Sequence, residues 1–261
     1  MNRIEKKFQQ LKKSKQKAFI AYITAGYPNI SITEKLIKEF DRIGVDILEL
    51  GVPFSDPMAD GPVIQDASRV ALEIGVNLEK IFNLVKRARP ICDIPICLMT
   101  YYNPVFCYGE AKFCQTAKRS GVDGVIIPDL PPEEAASFRK LAAQNNLDII
   151  FLLSPTSSPE RIKMVSAASK GFIYYVSLTG VTGARKKLPV DISQQVKAIK
   201  KYTAKPVCVG FGVSQASQAK EINRVADGVI VGSAIVKKIQ ENLGRPDLIK
   251  KVSNFTKGLK G

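Results

Sequence analysis

Short apolar segments alternate with helix-patterned segments along the whole of this 261-residue chain. Eight segments read as strands, many of them rich in β-branched residues: 18–24, 45–50, 94–100, 123–127, 148–153, 171–177, 206–209 and 227–231. Apolar strands separated by helices are typical of a parallel sheet whose faces are covered. The pattern therefore predicts an α/β fold, a (β/α)8 TIM barrel forming a single domain over residues 1–261. An open doubly wound sheet is the alternative, although no G-x-G-x-x-G motif follows the first strand.

The first seventeen residues form a basic, amphipathic segment in front of the first strand. Ile4, Phe8 and Leu11 have helical spacing, which predicts an extra N-terminal helix that packs on the barrel. The segment lacks the features of a cleavable targeting peptide, and no apolar stretch is long enough to span a membrane. We expect a cytoplasmic protein, or one of the plastid stroma.

Composition excludes several classes of chemistry. The chain contains no histidine, which excludes Ser–His and Cys–His nucleophiles and histidine-ligated metal sites. Its five cysteines form no C-x-x-C pair and are expected to be reduced, and no metal site is predicted. Most of the +15 net charge lies in the two terminal segments, without interleaved aromatic residues, so we expect solvated helix faces and not a nucleic-acid groove.

Two carboxylates lie close together in the stretch LELGVPFSDPMADG at residues 48–61. Glu49 ends the second strand, and Asp60 lies in the loop that follows. Alternation along the strand puts Glu49 on the side opposite Leu48, so it faces the barrel mouth if Leu48 packs against helices. A structural ion pair is the alternative role, but none of the predicted strands contains a lysine or arginine. Paired carboxylates at a barrel rim favour proton-transfer chemistry.

Three glycine-containing turns follow strands six, seven and eight, at residues 180–183, 210–214 and 231–234. Such turns commonly bind phosphate in barrels, and Ser233 is expected to cap a helix over 234–240. Apolar and aromatic residues that could enclose a flat ring lie at or near the strand ends: Tyr22, Met99, Tyr101, Ile126, Pro128, Tyr174, Phe211 and Ile230. Together with the two carboxylates, these features indicate an aromatic phosphate ester as ligand.

The sequence resembles the alpha subunit of tryptophan synthase essentially from end to end. The resemblance rests on FIAYITAGYP at 19–28, the whole 48–61 stretch, MTYYNP at 99–104, IPDLP at 127–131, GVTGA at 180–184, GFG at 210–212 and VGSAI at 231–235. Two positions depart from the family pattern. Tyr22 replaces a phenylalanine and Met99 replaces a leucine, both in the expected ring pocket.

The resemblance implies cleavage of indole-3-glycerol phosphate to indole and glyceraldehyde 3-phosphate. It implies that Glu49 protonates C3 of the indole and then accepts the hydroxyl proton, while Asp60 holds the indole N–H. It also implies that Gly183, Gly212, Gly232 and Ser233 bind the phosphate and that Thr182 closes against Asp60. Another phosphate-binding barrel, such as an indole-3-glycerol phosphate synthase, is the alternative enzyme, but it would need a lysine among the strands.

The family also implies a partner. Indole would pass to a beta subunit in an alpha2beta2 tetramer, with Asp56 and Pro57 as contacts. The resemblance implies no cofactor in this chain, because pyridoxal phosphate belongs to the beta subunit.

Overall fold

The computed structural model describes residues 1–176, 192–210 and 212–260. Its strands are β1 (Ala18–Thr24), β2 (Ile47–Gly51), β3 (Ile96–Met99), β4 (Gly124–Ile126), β5 (Asp148–Ile150), β6 (Leu152–Leu153), β7 (Ile173–Val176), β8 (Val207–Gly210) and β9 (Gly228–Val231). Its helices are α1 (Arg3–Lys13), α2 (Ile30–Arg42), α3 (Pro62–Glu73), α4 (Leu78–Ala88), α5 (Tyr102–Tyr108), α6 (Glu110–Ser120), α7 (Ala136–Gln144), α8 (Pro159–Ala168), α9 (Ile192–Lys200), α10 (Ala216–Asn223), α11 (Ser233–Gln240) and α12 (Leu248–Lys260). No helix within these ranges has the length and apolarity needed to cross a bilayer.

All strand pairs are parallel, and the strands follow the order β5-β4-β3-β2-β1-β9-β8-β7-β6. Only Phe151 separates β5 from β6. These two segments act as one interrupted strand, because β5 pairs with β4 and β6 pairs with β7. The interrupted strand brings the two edges of the sheet together, which gives the eight-stranded barrel that the sequence predicts and excludes the open sheet.

Helix α1 covers the N-terminal end of the barrel. The Asn2 side chain accepts the Glu5 amide proton and Glu5 reaches back to Asn2, which fixes the start of the helix. Ile4, Phe8 and Leu11 are buried on its inner face, and Phe8 packs against Phe172 with ring centroids 5.7 Å apart. The predicted N-terminal helix is confirmed.

The hydrophobic core has two layers, one between the strands and the outer helices and one inside the barrel. Leu48 and Leu50 belong to the outer layer, whereas Ile47 packs inside with Ile20 and Ile230. Consecutive side chains of β2 therefore point to opposite faces, as strand geometry requires.

Three aspartates at the N-terminal ends of strands tie neighbouring strands together. Asp46 accepts the Phe19 amide proton at 2.9 Å, and Asp227 accepts that of Val207 at 3.0 Å. Asp123 likewise accepts the Ile96 amide proton at 2.9 Å. These carboxylates satisfy backbone donors at the closed end of the barrel, and each also pairs with a cation.

Candidate active site

The C-terminal ends of the strands open into a cavity of about 360 Å³. Ten of the predicted site residues line it: Tyr22, Glu49, Asp60, Met99, Pro128, Tyr174, Gly212, Ile230, Gly232 and Ser233. This is the end of the barrel at which sites of this fold are built. The walls are mostly apolar, which suits a flat aromatic ligand.

Glu49 is held by β2 on the inner face of the barrel and is 1% exposed. Within the described ranges, neither of its carboxyl oxygens has a hydrogen-bond partner. Burial, and then the negative charge of Asp60, raise the pKa of Glu49 to about 8. Glu49 is therefore mostly protonated at pH 7 and can donate a proton into the cavity.

Asp60 comes from the loop between β2 and α3, and its backbone and side chain are both held. Its amide donates to the Pro57 carbonyl at 3.2 Å, and the Gln65 side chain donates to the Asp60 carbonyl at 2.9 Å. The Tyr101 hydroxyl donates to Oδ2 of Asp60 at 3.3 Å and accepts the Ala59 amide proton at 2.9 Å. Burial raises the pKa of Asp60 to about 6, against the lowering effect of the Tyr101 hydrogen bond. At pH 7 Asp60 is mostly ionised and can accept a hydrogen bond from an N–H or O–H group of a ligand.

Tyr22 adds a hydroxyl to the apolar wall. That hydroxyl lies 3.4 Å from Oγ1 of Thr24, so its hydrogen-bonding need is met inside the barrel. A Cβ atom on Gly51 would lie 2.1 Å from the hydroxyl oxygen, so glycine at position 51 leaves the space that the tyrosine occupies. Burial raises the pKa of Tyr22, which keeps its hydroxyl neutral.

Gly212, which follows β8, and Gly232 and Ser233, which follow β9, line the same cavity. Gly212 has φ +67°, a left-handed backbone conformation that favours glycine. The prediction that Ser233 caps the following helix is wrong: α11 begins at Ser233 and Gly232 is its N-cap. Ser233 thus presents its amide and hydroxyl in the first turn, where unpaired amides and the helix dipole favour an anion.

The other predicted site residues lie in different positions. Tyr101 donates a hydrogen bond to Asp60 and is not among the residues that line the cavity. Ile126 packs in the inner core layer and does not line the cavity either. Asp56 is exposed and Pro57 is partly buried, both on the loop that carries Asp60. Three predicted residues, Thr182, Gly183 and Phe211, lie outside the described residues.

Sequence reasoning missed a polar group on the cavity wall. Ser154 and Ser157 follow β6, and Arg161 lies in the first turn of α8; all three line the cavity. The signal was present, since SPTSSP at 154–159 is a polar turn at the C-terminal end of a strand. In the described part of the chain, no group of three or more His, Cys, Asp or Glu residues could hold a metal ion.

Comparison with known proteins gives one consistent result. The sequence model of a family described as tryptophan synthase alpha chain matches residues 8–260. The tryptophan synthase alpha chains of Geotalea uraniireducens and Geotalea daltonii are 50% and 49% identical over 260 residues, covering 100% of this chain and 97% and 98% of the relatives. The crystal structure of tryptophan synthase subunit alpha from Legionella pneumophila superposes with a TM-score of 0.93 at 38% identity, covering 100% of this chain and 97% of that one.

Proposed function

Since the chain belongs to the tryptophan synthase alpha chain family, a lyase family that cleaves indole-3-glycerol phosphate, we propose that Glu49 and Asp60 perform this reaction in the barrel-mouth cavity. The products are indole and glyceraldehyde 3-phosphate. The chemical difficulty is that C3 of the indole ring must become a leaving group when its bond to the glycerol chain breaks.

The two carboxyl groups divide the proton transfers. Neutral Glu49 donates its proton to C3, which gives an indolenine with positive charge at the ring nitrogen. Ionised Asp60 accepts a hydrogen bond from that N–H and stabilises the charge. The anionic Glu49 then takes the proton of the side-chain hydroxyl as the C–C bond breaks; the hydroxyl carbon becomes the aldehyde and the bonding electrons return to the indole ring. Glu49 ends protonated, ready for the next cycle.

The observation that carries this assignment is the state of Glu49. A carboxyl group that is buried, has no partner among the described residues and has a pKa of about 8 is costly unless it is used. A pKa near the working pH lets one group act first as acid and then as base.

We further propose how the substrate is held. Tyr22, Met99, Pro128, Tyr174 and Ile230 enclose the indole ring, and Gly212, Gly232 and Ser233 bind the phosphate. Their common position around one cavity supports this assignment. The roles of Thr182, Gly183, Phe211 and Ile126 stay predictions: phosphate binding for Gly183, closure against Asp60 for Thr182, and ring contacts for Phe211 and Ile126.

Membership of the family implies a beta-subunit partner, and the alpha family has no cofactor of its own. We propose an alpha2beta2 tetramer in which Asp56 and Pro57 contact the beta subunit. Pyridoxal phosphate belongs to the beta subunit. Two apolar side chains of the same rim support a docking face there: Met58 is 85% and Phe106 is 65% exposed. All five cysteines are free, which supports a reducing compartment, the cytosol or the plastid stroma.

An indole-release assay with indole-3-glycerol phosphate tests the assignment. We expect Glu49→Gln to lower the rate by about 10²–10⁴-fold, because glutamine cannot transfer the proton. Glu79→Gln, on the exposed start of α4, is the matched control and should keep the normal rate. A folded Glu49→Gln variant that releases indole at the normal rate would refute the role of Glu49.

A further inference from the structure

Arg161 is the one cation among the described residues that line the cavity. It lies in the first turn of α8, where the Ser158 side chain accepts its amide proton at 3.3 Å. Ser154 and Ser157 line the cavity beside it, so this wall is polar whereas the wall around the two carboxyl groups is apolar.

Arg161 is not among the groups that shift the pKa of Glu49 or of Asp60. Burial raises the pKa of both Glu49 and Asp60, and in the described part of the molecule no cation lowers either value. A nearby positive charge would have lowered both. We assign Arg161 to the polar wall that it forms with Ser154 and Ser157, where a charged part of the substrate can be accommodated.

The guanidinium group of Arg161 forms a solvent-exposed ion pair that a stronger anionic ligand can replace. Arg161 pairs with Glu133, which lies in the connection between β4 and α7. The two side chains are 34% and 45% exposed, and ion pairs this open to solvent contribute little stability. A phosphate group with nearly two negative charges is a stronger partner for a planar guanidinium than one carboxylate.

We propose that Arg161 binds the phosphate of indole-3-glycerol phosphate, exchanging Glu133 for it when the substrate enters. This inference rests on the proposed function and adds a binding residue from the first turn of α8 to the proposed phosphate-binding residues Gly212, Gly232 and Ser233. It assigns Arg161 a role in substrate affinity, and assigns the cavity a positive charge that attracts anions.

Steady-state kinetics of Arg161→Gln, Arg161→Lys and Glu133→Gln test the proposal. We expect Arg161→Gln to raise KM for indole-3-glycerol phosphate by about 10- to 100-fold, with a smaller change in kcat. Arg161→Lys keeps the charge but loses the planar fork, so its KM should be intermediate. Glu133→Gln breaks the same ion pair and leaves the guanidinium free, so its KM should be unchanged or lower.

Binding of two fragments separates a phosphate contact from a structural effect. Arg161→Gln should weaken binding of glycerol 3-phosphate, measured by calorimetry, by the factor seen in KM, and should leave the affinity for indole within about twofold. Equal KM increases in Arg161→Gln and Glu133→Gln, or unchanged glycerol 3-phosphate binding in Arg161→Gln, would overturn the proposal. Failure of the proposed function would show differently, as absence of indole release by the unmodified protein.

Discussion

At the closed end of the barrel, the buried carboxylate of Asp123 accepts hydrogen bonds from Arg89 at 2.8 Å and Arg3 at 3.2 Å, besides the Ile96 amide. At the open end, Glu49 is as deeply buried but has no partner in the ranges that the structure describes. At the closed end, cations and a backbone amide bind the buried carboxylate of Asp123. At the open end, no described residue binds the buried carboxyl group of Glu49.

The difference separates structural acids from reactive ones. Burial raises the pKa of Asp123 too, but Arg89, the Ile96 amide and Arg3 act against that rise, and the same contacts tie distant elements together. Only burial and another negative charge act on Glu49, so it keeps its proton. Asp148 is a partial exception at the closed end, since Oδ2 lacks a partner among the described residues and burial raises its pKa to about 6. Position at the cavity, and not the raised pKa alone, therefore supports the proposal that Glu49 is the reactive group.

The largest expected effect lies at the closed end. Asp123→Asn leaves the guanidinium of Arg89, which is 11% exposed, without its charge partner, and should lower the free energy of unfolding by about 3–5 kcal/mol. Urea unfolding of the variant and of the unmodified protein measures this loss of free energy of unfolding. Asp93→Asn is the control, because Asp93 also pairs with Arg3 but is 90% exposed, and should cost under about 1 kcal/mol. Equal losses in the two variants would remove the contrast between the ends of the barrel.

At the open end, Asp60→Asn should lower indole release by about 10²–10³-fold, because the amide carries no charge to stabilise the indolenine. The pH profile sharpens the test. In the unmodified protein, kcat/KM should rise as Asp60 ionises near pH 6 and fall as the pair loses the Glu49 proton near pH 8. Asp60→Asn should lose the acidic limb, whereas Asp66→Asn on α3 should keep the normal profile. An unchanged acidic limb in Asp60→Asn would contradict the assignment.

The third expected effect is a gain in stability at high pH. Between the usual pKa of a glutamate, 4.5, and the folded-state value of about 8, the folded protein holds a proton at Glu49 that the unfolded chain has lost. The free energy of unfolding therefore falls as pH rises through this window, and stays low above it. Glu49→Gln lacks this decline, so its stability advantage over the unmodified protein should be greater at pH 9 than at pH 4.5 by about 4–5 kcal/mol, which is the interval from a pKa of 4.5 to about 8 at about 1.4 kcal/mol per pH unit. Parallel pH dependences of the two proteins, measured by urea unfolding, would show that Glu49 is compensated after all.

Much of the fold and part of the site could be predicted locally. The apolar period along β2 placed Leu48 against the outer helices and left Glu49 on the inner face, which the structure bears out. Arg161 was missed because its importance depends on α8 starting beside the cavity, a distance set by packing between elements far apart in sequence. Ile126 is buried in the inner core layer although it is in register with Met99, which lines the cavity, so its predicted ring contact stays a prediction.

The sequence by itself determined the order of strands and helices, the inward face of Glu49 and the family, because period, turn residues and motifs are encoded by neighbouring positions. Only the tertiary structure decided that Phe151 interrupts a strand while the barrel still closes, that Tyr101 holds Asp60, and that Arg161 faces the same cavity. The pKa values of Glu49 and Asp60 also follow from the assembled barrel, because desolvation of both groups and the approach of Asp60 to Glu49 arise only when distant segments enclose one space.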